Sequence, residues 1–227
     1  MDSFLMIGQS NMAGRGFKND VEPINAENLY VMRSGIWEKF YVPVNPDEPQ
    51  AEISLAETFA ESYAKDHKCE VGLIPCAKGD TSVMQWQKGE NLFDNAVFAA
   101  KLAMRNSELK AILWHQGEAD SGKERSAVYF DRLSRMITDM RQALNRPDIP
   151  FLVGGLGDFL KNFWGDIPLY YRSINAELMR AADSIPNVKF ISAEGLGSNP
   201  DGIHFNAKSL RIFGKRYYEA YKSLADM

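Results

Sequence analysis

The chain has 227 residues, two cysteines, three histidines and a formal net charge of -4 at neutral pH. That length buries a sizeable core, and with no Ser/Gly-rich linker, low-complexity run or internal repeat it reads as one domain over residues 1–227. Charges of both signs are interspersed, which excludes the basic face that a nucleic acid or an anionic membrane requires. The longest N-terminal apolar run, Phe4 to Ile7, is too short for a signal-peptide core or a membrane span. The chain as it stands therefore reads as cytoplasmic, the alternative being a secreted form whose leader has been trimmed. Cys69 and Cys76 flank a strand candidate and lie roughly 23 Å apart in extended chain, too far for a disulfide.

The first strand candidate, residues 3–7, ends at Gly8-Gln9-Ser10, which opens the stretch Gly8-Gln-Ser-Asn-Met-Ala-Gly-Arg-Gly16. An apolar run followed by glycine and polar residues is a buried strand entering a tight turn. In open α/β sheets, chemistry gathers just beyond the strands' carboxyl ends. Ser10 is therefore a candidate nucleophile, and equally a helix-capping serine. Residues 33–50, with Trp37, Phe40 and Tyr41, read as a long irregular loop of the kind that builds pockets. A helix opens at Ser54 with Glu57 three residues later, a capping box. His67, near that helix's end, reads as a solvated residue or a C-terminal charge.

The second strand candidate, 70–75, runs into Cys76-Ala-Lys-Gly79-Asp-Thr-Ser82. Gly79 either presents its N–H to an oxyanion or only turns the chain. Trp86, seven residues on, is the aromatic placed nearest the candidate nucleophile. The third candidate, 110–116, lies in Ala111-Ile-Leu-Trp-His-Gln-Gly-Glu-Ala-Asp120 and delivers His115, Gln116 and Glu118 to the same rim. Gln116 either aims its amide at an oxyanion or satisfies loop backbone groups. Strand alternation keeps His115 off the face of Gln116, so His115 is read as structural. A following helix carries Phe130, Leu133, Ile137, Met140 and Leu144 on one core stripe, with Met136 as packing.

The strand candidate at 150–155 leads into residues 156–172, where Phe159, Phe163, Trp164, Tyr170 and Tyr171 either stack on a ligand or form a satellite core. After a last strand candidate at 187–192 comes the turn Asn199-Pro-Asp-Gly-Ile-His-Phe-Asn206. Asp201 and His204 are three apart there and face the same way. The carboxylate can fix the imidazole tautomer while the other ring nitrogen takes a serine proton; alternatively this is an Asx turn with a capping histidine. The final helix carries Leu210, Phe213, Tyr217 and Leu224 on its core stripe.

Five strand candidates alternating with helical patterns predict an α/β fold: a three-layer α/β/α sandwich with a mainly parallel, about five-stranded sheet. Gly-x-Ser-x-Gly fails at Met12, and Gly14-Arg-Gly16 lacks the next glycine of a dinucleotide fingerprint at Asn19. No cofactor is implied, and the three histidines and two cysteines supply no metal-ligand set.

Four blocks, Gly8-Gln-Ser-Asn-Met-Ala-Gly14, Pro75-Cys-Ala-Lys-Gly79, Trp114-His-Gln-Gly-Glu118 and Asp201-Gly-Ile-His-Phe-Asn206, resemble in order the blocks of the SGNH hydrolase superfamily. The resemblance spans residues 4–206 and is to the branch of sialate O-acetylesterases and carbohydrate esterase family 6 acetyl xylan esterases. It implies a flavodoxin-like fold and a serine esterase acting on an acetylated carbohydrate. It also implies Ser10 as nucleophile, His204 as base, Asp201 as its orienting acid, and Ser10 N–H, Gly79 and Gln116 as oxyanion donors. Glu118 is the alternative acid or a holder of the loops, and Gln9, Asn11 and Arg15 are candidate substrate contacts. Two departures bear on this: Asp80 follows Gly79 where many relatives have a second glycine, and Ala119 stands where serine is common. A sialate would call for a cation, Arg15 or Arg33, whereas xylan is neutral; the alternatives are an esterase for non-carbohydrate short-chain esters and, of another class, a carbohydrate-binding protein of the same fold without turnover. The oligomeric state has no signature in the sequence.

Overall fold

The computed structural model describes residues 1–163 and 170–225. One sheet of seven strands runs through it: β1 (Asp2–Gly8), β2 (Leu29–Arg33), β3 (Ile36–Lys39), β4 (Val71–Pro75), β5 (Glu108–His115), β6 (Phe151–Gly154) and β7 (Val188–Ile191), in the order β3-β2-β4-β1-β5-β6-β7. All neighbours pair in parallel except β3, which is antiparallel to β2. The five expected strands are thus present, and the strand count is corrected to seven. The added pair is a hairpin whose first strand precedes the segment read as loop at 33–50 and whose second strand lies inside it. Ser34 and Gly35 hold φ of 45° and 84°, the left-handed pair that a two-residue hairpin turn demands.

Strand alternation divides the core. Phe4 and Met6 of β1 face one layer, Leu5 and Ile7 the other, and none of the four is exposed to solvent. The first layer is α1 (Ser10–Ala13), α2 (Leu55–His67) and α7 (Ala207–Ala225), through Phe59, Tyr63, Leu210, Phe213 and Tyr217. The second is α3 (Asn91–Ala103), α5 (Tyr129–Leu144) and α6 (Tyr171–Ser184), through Phe93, Leu133, Ile137 and Leu178. A short α4 (Lys123–Ser126) precedes α5. The capping box at α2 forms as expected, with Ser54 N–H donating to Glu57 Oε1 at 2.9 Å.

Chain order reverses direction across the sheet at β1, which lies between β4 and β5. Such a reversal leaves a crevice beyond the strands' carboxyl ends. The segments after β1, β4 and β5 all emerge there. Among the described residues no helix is long and apolar enough to cross a membrane.

Candidate active site

Ser10 begins α1 immediately after β1, and its position is set by how closely β1 approaches β5. Gly8 has φ +130°, and a Cβ on it would lie 2.1 Å from the His115 carbonyl oxygen. Only glycine ends the strand there. Gln9 N–H then donates to that same oxygen at 2.9 Å, which fixes the backbone one residue before the serine.

His204 arrives from the turn before α7. Its Nε2 is 3.0 Å from Ser10 Oγ, and its Nδ1 is 2.8 Å from Asp201 Oδ2. The other Asp201 oxygen accepts the backbone N–H groups of Ile203 and His204, each at 3.0 Å. Burial pushes the Asp201 carboxyl upward, but those two amides and the His204 ring outweigh it and hold it below its ordinary value. An ionised acceptor therefore faces Nδ1 and assigns the proton there, leaving Nε2 to accept from the serine.

Glu118 is buried and does not meet His204. Its Oε1 accepts from Asn11 Nδ2 at 2.6 Å and lies 3.8 Å from His115 Nδ1. Asn11 continues the link, accepting Phe205 N–H at 3.0 Å and donating to the Ile203 carbonyl at 3.3 Å. Glu118 and Asn11 thus clamp the first turn of α1 to the histidine turn, and Asn11, wholly buried, is no substrate contact. His115 is fully buried, edge-on to Phe205 and Phe213 at 5.6 Å, and burial lowers its basicity.

Two expected oxyanion donors are already engaged. Gln116 is wholly buried, and its Nε2 donates to Thr81 O at 2.9 Å, Asp120 Oδ2 at 2.6 Å and Gln9 Oε1 at 3.1 Å. Its two protons are spent inside the protein. Gly79 N–H donates to Glu48 Oε2 at 3.0 Å, because Arg15 draws that carboxylate over the glycine. Ser10 N–H, by contrast, has no acceptor among the described residues. Gln9 is anchored by its oxygen, which takes Gln116 Nε2 and faces the N–H groups of Gly117 and Ala119 at 3.4 Å. Its Nε2 has no acceptor among the described residues.

The cavity over the serine has a volume of about 370 Å³ and is lined by Gln9, Ser10, Arg15, Glu48, Gln50, Gly79, Asp80, Ile203 and His204. Trp86 is not there. It is wholly buried, bonded through Nε1 to Thr81 Oγ1 at 3.2 Å and set edge-on against Trp114. Arg33 lines a different cavity and donates to the carbonyls of Met32, Pro43 and Val44. Phe159 packs edge-on to Phe205 at 4.9 Å, a satellite-core role, and Trp164 lies outside the described residues. Glu48 went unread in the sequence. It sits in Asn45-Pro-Asp-Glu-Pro49, where neither periodicity nor motif marks it.

A model of the carbohydrate esterase, sialic acid-specific acetylesterase family matches residues 1–223. The chain belongs to this family of carbohydrate esterases. Membership makes it a carboxylic ester hydrolase and agrees with the SGNH resemblance. A probable carbohydrate esterase of Arabidopsis thaliana is 27% identical over 246 residues, covering 97% of this chain and 90% of the plant protein. The crystal structure of that plant protein aligns at a TM-score of 0.86 and 24% identity over 98% of both chains. NanS aligns at a TM-score of 0.77 and 15% identity, over 99% of this chain and 97% of NanS. A carbohydrate acetylesterase from Xanthomonas citri aligns at 0.71 and 18%, over 99% of this chain but 57% of the longer protein. At these identities the superpositions establish a shared fold.

Proposed function

We propose that the protein is a serine esterase that removes small acyl groups, acetyl foremost, from a carbohydrate through an acyl-enzyme intermediate. The observation that carries this reading is the unbroken line from Asp201 through His204 to Ser10, at 2.8 and 3.0 Å, opening into the cavity. Ser10 Oγ attacks the ester carbonyl as His204 Nε2 takes its proton. The tetrahedral oxyanion is met by Ser10 N–H and Gln9 Nε2. The carbonyl re-forms, the sugar alcohol leaves with the proton from His204, and water, activated by the same ring, attacks the acyl-enzyme and releases the acid.

The cavity lining supports a small acyl group and a polar alcohol. Ile203 is the one aliphatic side chain among the described lining residues, which offer no apolar channel for a long acyl chain. Hydroxyl-rich saccharides find hydrogen-bonding partners in Gln9, Gln50 and Asp80 instead.

Hydrolysis of aryl acetate, butyrate and octanoate tests the reading. Acetate is expected to be turned over fastest, and Ser10→Ala to lower kcat by on the order of 10⁴-fold or more. Equal rates for the wild type and Ser10→Ala sink the nucleophile, and a preference for octanoate sinks the small-acyl assignment.

A further inference from the structure

We infer that a second saccharide-binding site lies beside the serine cavity, built around Phe17 and Asn199, and that it holds the sugar unit next to the acetylated one. The inference rests on the esterase reading and extends it to a separate surface. A cavity of about 430 Å³ is lined by Phe17 and Asp20 on one segment and by Ser198, Asn199, Asn206 and Lys208 on another. None of these residues lines the cavity over Ser10. The two cavities nonetheless share their walls. Arg15 lines the serine cavity and Phe17, two residues on, the second one; Ile203 and His204 line the first, and Asn199 and Pro200 of the same turn line the second. Asn199 Nδ2 donates to Arg15 O at 2.7 Å and Asn199 N–H to His204 O at 2.8 Å, which fixes the walls to each other.

The lining sets one open aromatic ring among polar groups without partners. Phe17 leaves 48% of its surface exposed. Its backbone is held from both sides. Gly16 passes so close to α7 that a Cβ on it would lie 2.5 Å from Ala207 Cα, and Asp20 N–H donates to Phe17 O at 3.1 Å. A large apolar ring on a fixed backbone loses little freedom on binding and can cover the C–H face of a pyranose. Asn199 supplies the second observation. It is 5% exposed, its Nδ2 is engaged by Arg15 O, and its Oδ1 is buried and receives no hydrogen bond. A buried acceptor without a donor is costly, and a ligand hydroxyl is such a donor. Asp20 and Lys208 are exposed and form no ion pair among the described residues. One carboxylate that accepts and one ammonium that donates suit hydroxyls, which do both.

The test varies the length of the saccharide with the ester held constant: acetylated xylose, acetylated xylotriose and an aryl acetate are hydrolysed by the wild type and by Phe17→Ala. The wild type is expected to show about tenfold higher kcat/KM on the trisaccharide than on the single sugar, expressed in KM. Phe17→Ala is expected to raise KM for the trisaccharide about tenfold with kcat unchanged, and to narrow its advantage over the single sugar to within about twofold. Equal kcat/KM for the two sugars in the wild type, no turnover of the trisaccharide, an unmoved KM in Phe17→Ala, or a variant that slows all three substrates alike overturns the inference. Should Phe17→Ala fail to fold, inhibition of wild-type aryl acetate hydrolysis by unacetylated xylose and xylotriose decides instead. The trisaccharide is expected to inhibit at about tenfold lower concentration, and equal inhibition overturns the second site. Failure of the esterase reading shows separately, as aryl acetate turnover that survives loss of Ser10.

Discussion

At the scale of the residue, contact distinguishes the two candidate carboxylates. Asp201 lies 2.8 Å from Nδ1, whereas Glu118 bonds to Asn11 and acts on the histidine turn only through that side chain. Asp201→Asn keeps the two backbone bonds but not the charge, and is expected to lower kcat on the order of 10⁴-fold with KM little changed. Glu118→Gln retains an acceptor for Asn11 and should stay within about tenfold of the wild type. Steady-state kinetics of the two variants checks this, and the reverse ranking moves the acid role to Glu118. Gln9→Glu preserves the oxygen that takes Gln116 while removing the amide donor. Its expected loss is about 10²–10³-fold in kcat, and an unchanged kcat would remove Gln9 from the oxyanion site. Ser10, Asp201 and His204 were legible because a strand-end serine and an acid three residues before a histidine are local patterns. The occupation of the Gly79 and Gln116 donors was not. Their acceptors, Glu48 on one side and Thr81 and Asp120 on the other, meet them only through the fold.

Burial alone did not decide which elements were legible: β2 buries three of its five residues and went unread, whereas β7 buries two of four and was read. β1 and β4 to β7 are carried by apolar runs, whereas β3 buries none of its four residues fully and shows no such run. The Ser34-Gly35 turn was the one local sign of that hairpin. The α2–α7 contact includes a pair that no periodicity marks: Glu57 is wholly buried and bonded to Arg211 Nη1 at 2.5 Å. Burial pushes the Glu57 carboxyl up to about 7, against the pull of Arg211 and the Ser54 amide. Because the folded value lies above the ordinary 4.5, the unfolded chain gives up this proton first as pH rises. Glu57's contribution to stability is thus complete below that value and declines until pH passes about 7. The decline amounts to roughly 3 kcal/mol at most. Urea unfolding of the wild type and Glu57→Gln at pH 4.5, 6 and 8 checks the sign. The advantage of wild type over variant should shrink with rising pH, and an advantage that grows would show that Glu57 is a well-compensated anion throughout.

At the scale of the whole molecule, site and stability share one strand. β1 supplies Phe4 and Met6 to one core and Leu5 and Ile7 to the other, then ends in the glycine that sets Ser10. The histidine turn is held from both directions: Asn11 binds it beneath, and Asn199, whose Nδ2 donates to Arg15 O at 2.7 Å, receives it from the side. Three distant stretches, after β1, after β4 and before α7, are therefore registered to one another through a strand that neither layer can release alone. Phe4→Ala and Leu5→Ala open cavities on opposite faces and should each cost about 3–5 kcal/mol. Because both act through β1, each variant should lose esterase activity and helical circular dichroism at one shared denaturant midpoint, displaced downward from the wild type. If Phe4→Ala instead loses activity well before its helices melt, while Leu5→Ala does not, the α2–α7 layer and the histidine turn unfold as a separate unit. The site would then owe its geometry to that layer rather than to the central strand.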